Sequence, residues 1–132
     1  MLRFAYLALI FACGGHPTPP PATGGSGSAG DCEPGRCLEN ISEVVGSHKT
    51  ESRACYDKAR QREPKLAAGR VIINFSIDKD GAVLDARQGM QEDQLQDEQM
   101  VSCLSELVQS IKFAKSAKGR STRAYHRFEF SP

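Results

Sequence analysis

Net charge, long apolar runs and catalytic signatures are what this chain of 132 residues has least of. Lysine and arginine number 17 against 16 acidic residues, a formal charge of +1. So neutral a chain offers no electrostatic footprint for nucleic acid. The run from Phe4 to Ala12 is apolar but far short of the roughly 20 residues a membrane-spanning helix needs. No nucleophile–base pair, paired carboxylates or phosphate loop is present, so no catalytic residue and no cofactor is assigned. His48 and His126 lie at no zinc-ligand spacing to the cysteines, and His16 stands alone, so no metal site is assigned. Asp78-Lys79-Asp80-Gly81 invites a calcium reading. An EF-hand loop needs its glycine at the sixth position, however, and Gly81 is at the fourth. There is no tryptophan, and the length suits one small domain with appendages.

What is present begins with an address. Arg3 followed by the apolar run Phe4 to Ala12 reads as a signal peptide over residues 1–12. Its end, Ile10-Phe11-Ala12-Cys13, resembles a bacterial lipobox, whose cysteine receives the lipid, so lipidation is expected at Cys13. Residues 13–37 then form the anchor and a tether. Gly14 to Gly30 holds Gly, Pro, Ser and Thr with no apolar residue larger than alanine. Such a segment buries too little surface to offset its ordering entropy. Gly14 stands where a retention aspartate would hold a lipoprotein at the inner membrane. The expected location is therefore the cell envelope, lipid-anchored at the outer membrane and facing the periplasm.

Four cysteines remain: Cys32, Cys37, Cys55 and Cys103. An even number in an exported chain suggests two disulfides, in one of three connectivities. Cys32 and Cys37 flank the turn Pro34-Gly35 and are expected to pair. Cys55 and Cys103 then tie the first helix to the second, closing a long loop worth about 4 kcal/mol. The alternative for Cys32 and Cys37 is a redox-active dithiol, although the usual motif is C-x-x-C beside a βαβ unit.

The folded domain is read over residues 38–132. Leu38, Ile41, Val45, His48, Ser52, Cys55 and Ala59 recur at steps of three and four, which predicts one helix from Leu38 to Gln61. Val71, Ile73, Phe75 and Ile77 alternate with polar residues and predict a half-buried strand. Asp80-Gly81 reads as a hairpin turn into a return strand, Ala82 to Met90. After the polar link Gln91 to Asp97, residues Met100, Cys103, Leu104, Leu107 and Val108 mark a second helix from Asp97 to Ser110. Ser121 to Phe130 alternates again as a last strand. The order αββαβ predicts an α+β fold. Crossover chirality gives a three-stranded antiparallel sheet ordered 2-1-3 with both helices on one face. The last strand is then an edge, with Arg123, Tyr125, Arg127 and Glu129 facing away from the helices. The charge is uneven: Leu107 to Pro132 carries Lys112, Lys115, Lys118, Arg120, Arg123 and Arg127 against Glu129 alone. This basic stretch is either a solvated face complementing the acidic Asp78–Glu106 stretch or a binding surface.

Several local sequences resemble the C-terminal domains of the TonB/TolA superfamily, and more closely the AgmX/PglI C-terminal domain of myxobacterial envelope and gliding-associated proteins. They are Ile41 to Val45, Arg53-Ala-Cys-Tyr56 with Ala59, Gly69-Arg-Val71, Phe75-Ser-Ile77, Asp80-Gly81-x-Val83, Cys103-Leu104, Ile111-Lys-Phe113 and Phe128-Glu-Phe130-Ser-Pro132. The resemblance covers Leu38 to Pro132. Ile111 stands where the family often has tryptophan and Ala114 where it often has proline. The resemblance implies the TonB-like fold, the Cys55–Cys103 pair and a last strand that captures partner peptides. It does not extend to energy transduction, because the spanning helix and rigid spacer of such transducers are not read here. The expectation is a non-enzymatic envelope lipoprotein that binds other envelope proteins through Arg123, Tyr125, Arg127 and Glu129. The sequence leaves its oligomeric state open. The alternatives are a thiol–disulfide redox protein using Cys32 and Cys37, or a structural, peptidoglycan-associated protein.

Overall fold

The computed structural model describes Gly15 and residues 32–132. Cys13, the leader 1–12 and the tether residues 16–31 lie outside the described residues. The elements run α1 (Leu38–Gly46), α2 (Lys49–Arg62), β1 (Gly69–Ile77), β2 (Val83–Gln88), α3 (Glu98–Ser110) and β3 (Thr122–Phe130). The three strands form one antiparallel sheet ordered β2-β1-β3, an α+β fold with the expected topology.

Alternation explains the sheet. Val71, Ile73, Phe75 and Ile77 of β1 all point to one face and are buried. Their neighbours on that face of β3 are Phe128, His126, Ala124 and Thr122. The helices cover this face, supplying Ile41 and Val45 from α1, Cys55, Tyr56 and Ala59 from α2, and Met100, Leu104 and Val108 from α3. Tyr56 is wholly buried, stacks on Phe130 with ring centroids 5.0 Å apart, and donates its hydroxyl to Ala67 O at 2.9 Å. A buried phenol thus keeps a hydrogen bond, as it must to avoid a desolvation penalty. Asp97 caps α3, its carboxylate accepting from Met100 N at 2.8 Å.

Two expectations need correction. The first helix is not continuous from Leu38 to Gln61 but breaks between Gly46 and Lys49. Gly46 is a poor helix former, and the Ser47 hydroxyl turns back to donate to Val44 O at 2.6 Å. The apolar stripe keeps its phase through the break, which is why periodicity alone does not reveal it. The break lets α1 pack on β3 while α2 turns towards α3. The second correction concerns the start of the domain. Residues 32–37, expected as tether, fold onto the sheet, and Arg36 is only 2% exposed.

The link between β2 and α3 also folds back. Leu95 N donates to Arg70 O at 2.8 Å, and Gly89 N to Ile72 O at 2.8 Å. The buried Gln94 side chain accepts from Ile72 N at 2.7 Å and donates to Gly89 O and Gln91 O. These bonds satisfy the half of β1 that β2 does not reach.

Candidate functional site

The site is the outer side of β3 and the groove at its start. In an antiparallel sheet each residue turns both its N–H and its C=O to the same side. The main-chain groups of Arg70 and Ile72 are used on the β2 side. Alternation then turns Val71, Ile73 and Phe75 towards β3. Because Arg127 faces Ile72 and Tyr125 faces Asn74, the main-chain groups of Arg123, Tyr125, Arg127 and Glu129 point away from β1. Among the described residues no strand pairs with that side, and no other segment hydrogen-bonds to their backbone.

The same four residues carry exposed side chains on the sheet face opposite the helices. Tyr125 is 48% exposed, a large apolar surface left in solvent. Arg127 and Glu129 form an ion pair at 3.5 Å that is too exposed to add much stability. The structure thus brings the four expected residues into one row. A cleft of about 870 Å³ adjoins the start of β3. Leu38 and Ile41 line it on one side, and Arg87, Arg120 and Arg123 give it a basic rim. His126 lies half-buried on the helix side, its ring edge against Phe128 at 4.7 Å. Burial pushes its pKa below the usual value, and its buried Nδ1 has no hydrogen-bond partner among the described residues.

What holds this strand in place is a residue the sequence reading missed. The Arg36 guanidinium donates to Asp78 O and Ala114 O at 2.9 Å, to Ile77 O and Arg120 O at 3.1 Å, and to Thr122 Oγ1. It gathers the end of β1, the segment after α3 and the start of β3, with no carboxylate partner among the described residues. Arginine suits this because its planar fork presents five donors at once. The Cys32–Cys37 disulfide brackets the turn that carries it. Within that turn Gly35 has φ of +76° and approaches Ala114 so closely that a Cβ would lie 2.9 Å from its side chain. Glu33 completes the clasp, accepting from Ser116 Oγ at 2.5 Å and Lys118 N at 2.8 Å. The Ser116 hydroxyl, then the Lys118 amide and nearby cations, hold its carboxyl below the usual range. The only sequence signal for this clasp was the cysteine-bracketed turn itself.

Cys55 is bonded to Cys103, with Cα atoms 5.8 Å apart, so all four cysteines pair as expected. The Asp78–Gly81 turn is closed internally. The Asp78 carboxylate accepts from Ala82 N and Asp80 N at 2.9 Å, bonds that lower its pKa. Among the described residues, no group of three or more His, Cys, Asp or Glu side chains is placed to hold a metal ion.

Comparison with protein-family models, with curated proteins and with solved structures finds no match for this chain.

Proposed function

We propose that this chain is a non-enzymatic binding module of the bacterial cell envelope, captured at the membrane by a lipid on Cys13. In this reading it takes an extended segment of another envelope protein onto the open side of β3. The observation that carries the reading is the row of main-chain groups at Arg123, Tyr125, Arg127 and Glu129, which face away from β1 on an exposed strand. An added strand would take its affinity from those groups and its selectivity from the side chains beside them. The AgmX/PglI and TonB-like resemblance points the same way and is part of the proposal. The redox alternative has less support, because the Cys32–Cys37 bond brackets the turn that presents Arg36.

The test exploits the direction of one amide. Arg127 N–H points to the open side, so Arg127→Pro removes a docking donor without removing a bond to β1. Arg127→Lys keeps the donor. With circular dichroism showing both variants folded, Arg127→Pro is expected to lose partner capture from native envelope extracts and Arg127→Lys only to weaken it. A folded proline variant that captures the same proteins as wild type overturns the reading.

A further inference from the structure

β3 is complementary to itself. Its sequence, Thr-Arg-Ala-Tyr-His-Arg-Phe-Glu-Phe, can be laid antiparallel on a second copy with His126 opposite His126. Arg123 then faces Glu129 of the second copy, and Glu129 faces its Arg123. Tyr125 faces Arg127 of the second copy, and Arg127 faces its Tyr125. The two kinds of facing pair are a salt bridge and a cation–π contact, each formed twice. On the helix side, Ala124 meets Phe128, a small residue against a large one.

The backbone permits this register and disfavours its neighbours. Arg123, Tyr125, Arg127 and Glu129 are the residues whose main-chain groups point outward, and here they pair only with one another. A shift by one residue would set an outward-pointing residue against an inward-pointing one. A shift by two sets Arg127 opposite Arg127, or Arg123 opposite Arg127. Both juxtapose like charges in facing positions, which is destabilising.

We infer that the open side of β3 binds a second copy of this chain, joining two three-stranded sheets into one of six strands about a twofold axis at His126. The inference rests on β3 as an accepting edge, and it adds that the edge is closed by self-pairing until a partner segment displaces the second copy. A strand-to-strand contact of this size is small, so the dimer is expected to be weak and concentration-dependent.

The test is a charge exchange read by sedimentation equilibrium of the full chain in density-matched detergent. Wild type is expected to dimerise between roughly 10 µM and 1 mM. Arg123→Glu sets Glu against Glu at two places and Glu129→Arg sets Arg against Arg, so each alone should weaken the dimer at least about tenfold. An equimolar mixture of the two variants restores opposite charges at both places and should recover association to within about threefold. Both positions are exposed, so the fold should survive, and circular dichroism checks it. Wild type that stays monomeric to about 1 mM, or a mixture that fails to recover, overturns the dimer. Partner capture by the Arg127 variants is scored separately, so either reading can fail while the other stands.

Discussion

β2 and β3 both flank β1, and they are finished in opposite ways. β2 has six residues and loses register opposite Phe75, where Asp85 takes a φ of +55°. The loop after it folds back to satisfy Arg70 and Ile72. β3 has nine residues paired in unbroken register, and no strand among the described residues pairs with its outer side. Short, bulged and covered edges are how sheets avoid unwanted pairing. One edge of this sheet has that protection in its backbone, and the other has only exposed charges. The difference is why the proposed function falls on β3 and not on β2.

The largest expected effect comes from removing the clasp that orders β3. Arg36→Met keeps the length of the side chain but takes the guanidinium donor from the carbonyls of Ile77, Ala114 and Arg120, while Asp78 O keeps its bond from Gly81 N. Stranding several partly buried acceptors is expected to cost about 3–5 kcal/mol in denaturant unfolding. Hydrogen exchange should show lost protection at the inward-facing amides of Thr122 and Ala124 before any loss in β2. A cost below about 1 kcal/mol would mean that β3 orders itself.

The next effect tests what the two edges share. α2 packs near β3 and α3 packs on β2, and Cys55–Cys103 ties the one helix to the other across a separation of 48 residues. Cys55→Ala is expected to cost about 2–4 kcal/mol, mostly through the unfolded chain. Partner capture by the folded fraction should be unchanged, because neither cysteine lies on the outer side of β3. A cost below about half a kcal/mol, with Cys103 a free thiol in wild type, counts against the bond.

A third prediction separates the edges by pH. His126 is on β3, and β2 has no histidine. Burial lowers the folded pKa of His126 from the ordinary 6.5, so the unfolded chain takes its proton first as pH falls. Stability should therefore decline as pH drops below that unfolded value and level off once the folded pKa is passed. His126→Leu, measured at concentrations too low for association, should remove this component of the decline. Parallel stability–pH curves for wild type and variant would show that the imidazole is not desolvated.

The strands and their order were legible because alternation and turn chemistry act locally. Val71 to Ile77 and Ala124 to Phe130 each declare a face, and Asp80-Gly81 declares the hairpin. The edge role of β3 followed from the αββαβ order. The clasp was not legible, because Arg36 bonds mainly to main-chain carbonyls, which leave no mark in a sequence, and it follows a tract rich in glycine and proline. Gln94 escaped for the same reason: its partners are the backbone of Ile72, Gly89 and Gln91. The helix break escaped because Gly46 and Ser47 interrupt the hydrogen bonding without shifting the apolar stripe.

The smallest expected effect concerns the bulge that blunts β2. Asn74 pairs with Arg87 and Ser76 with Leu84, so Asp85 and Ala86 together oppose Phe75. Asp85 pays for the extra residue with left-handed backbone, which aspartate tolerates better than most side chains and glycine tolerates freely. Its side chain is exposed, so replacing it disturbs no core packing. Asp85→Gly relieves the steric strain but gives the unfolded chain more freedom, and the two effects partly cancel. The expected net change is a gain of about 0.5 kcal/mol. Asp85→Val adds a β-branched side chain in the same conformation and should instead lose about 1–2 kcal/mol. Thermal unfolding of the two variants beside wild type measures both. If valine is accepted without loss, the backbone at residue 85 is not held left-handed. β2 would then be a second regular edge, and the contrast with β3 would no longer single out one strand for binding.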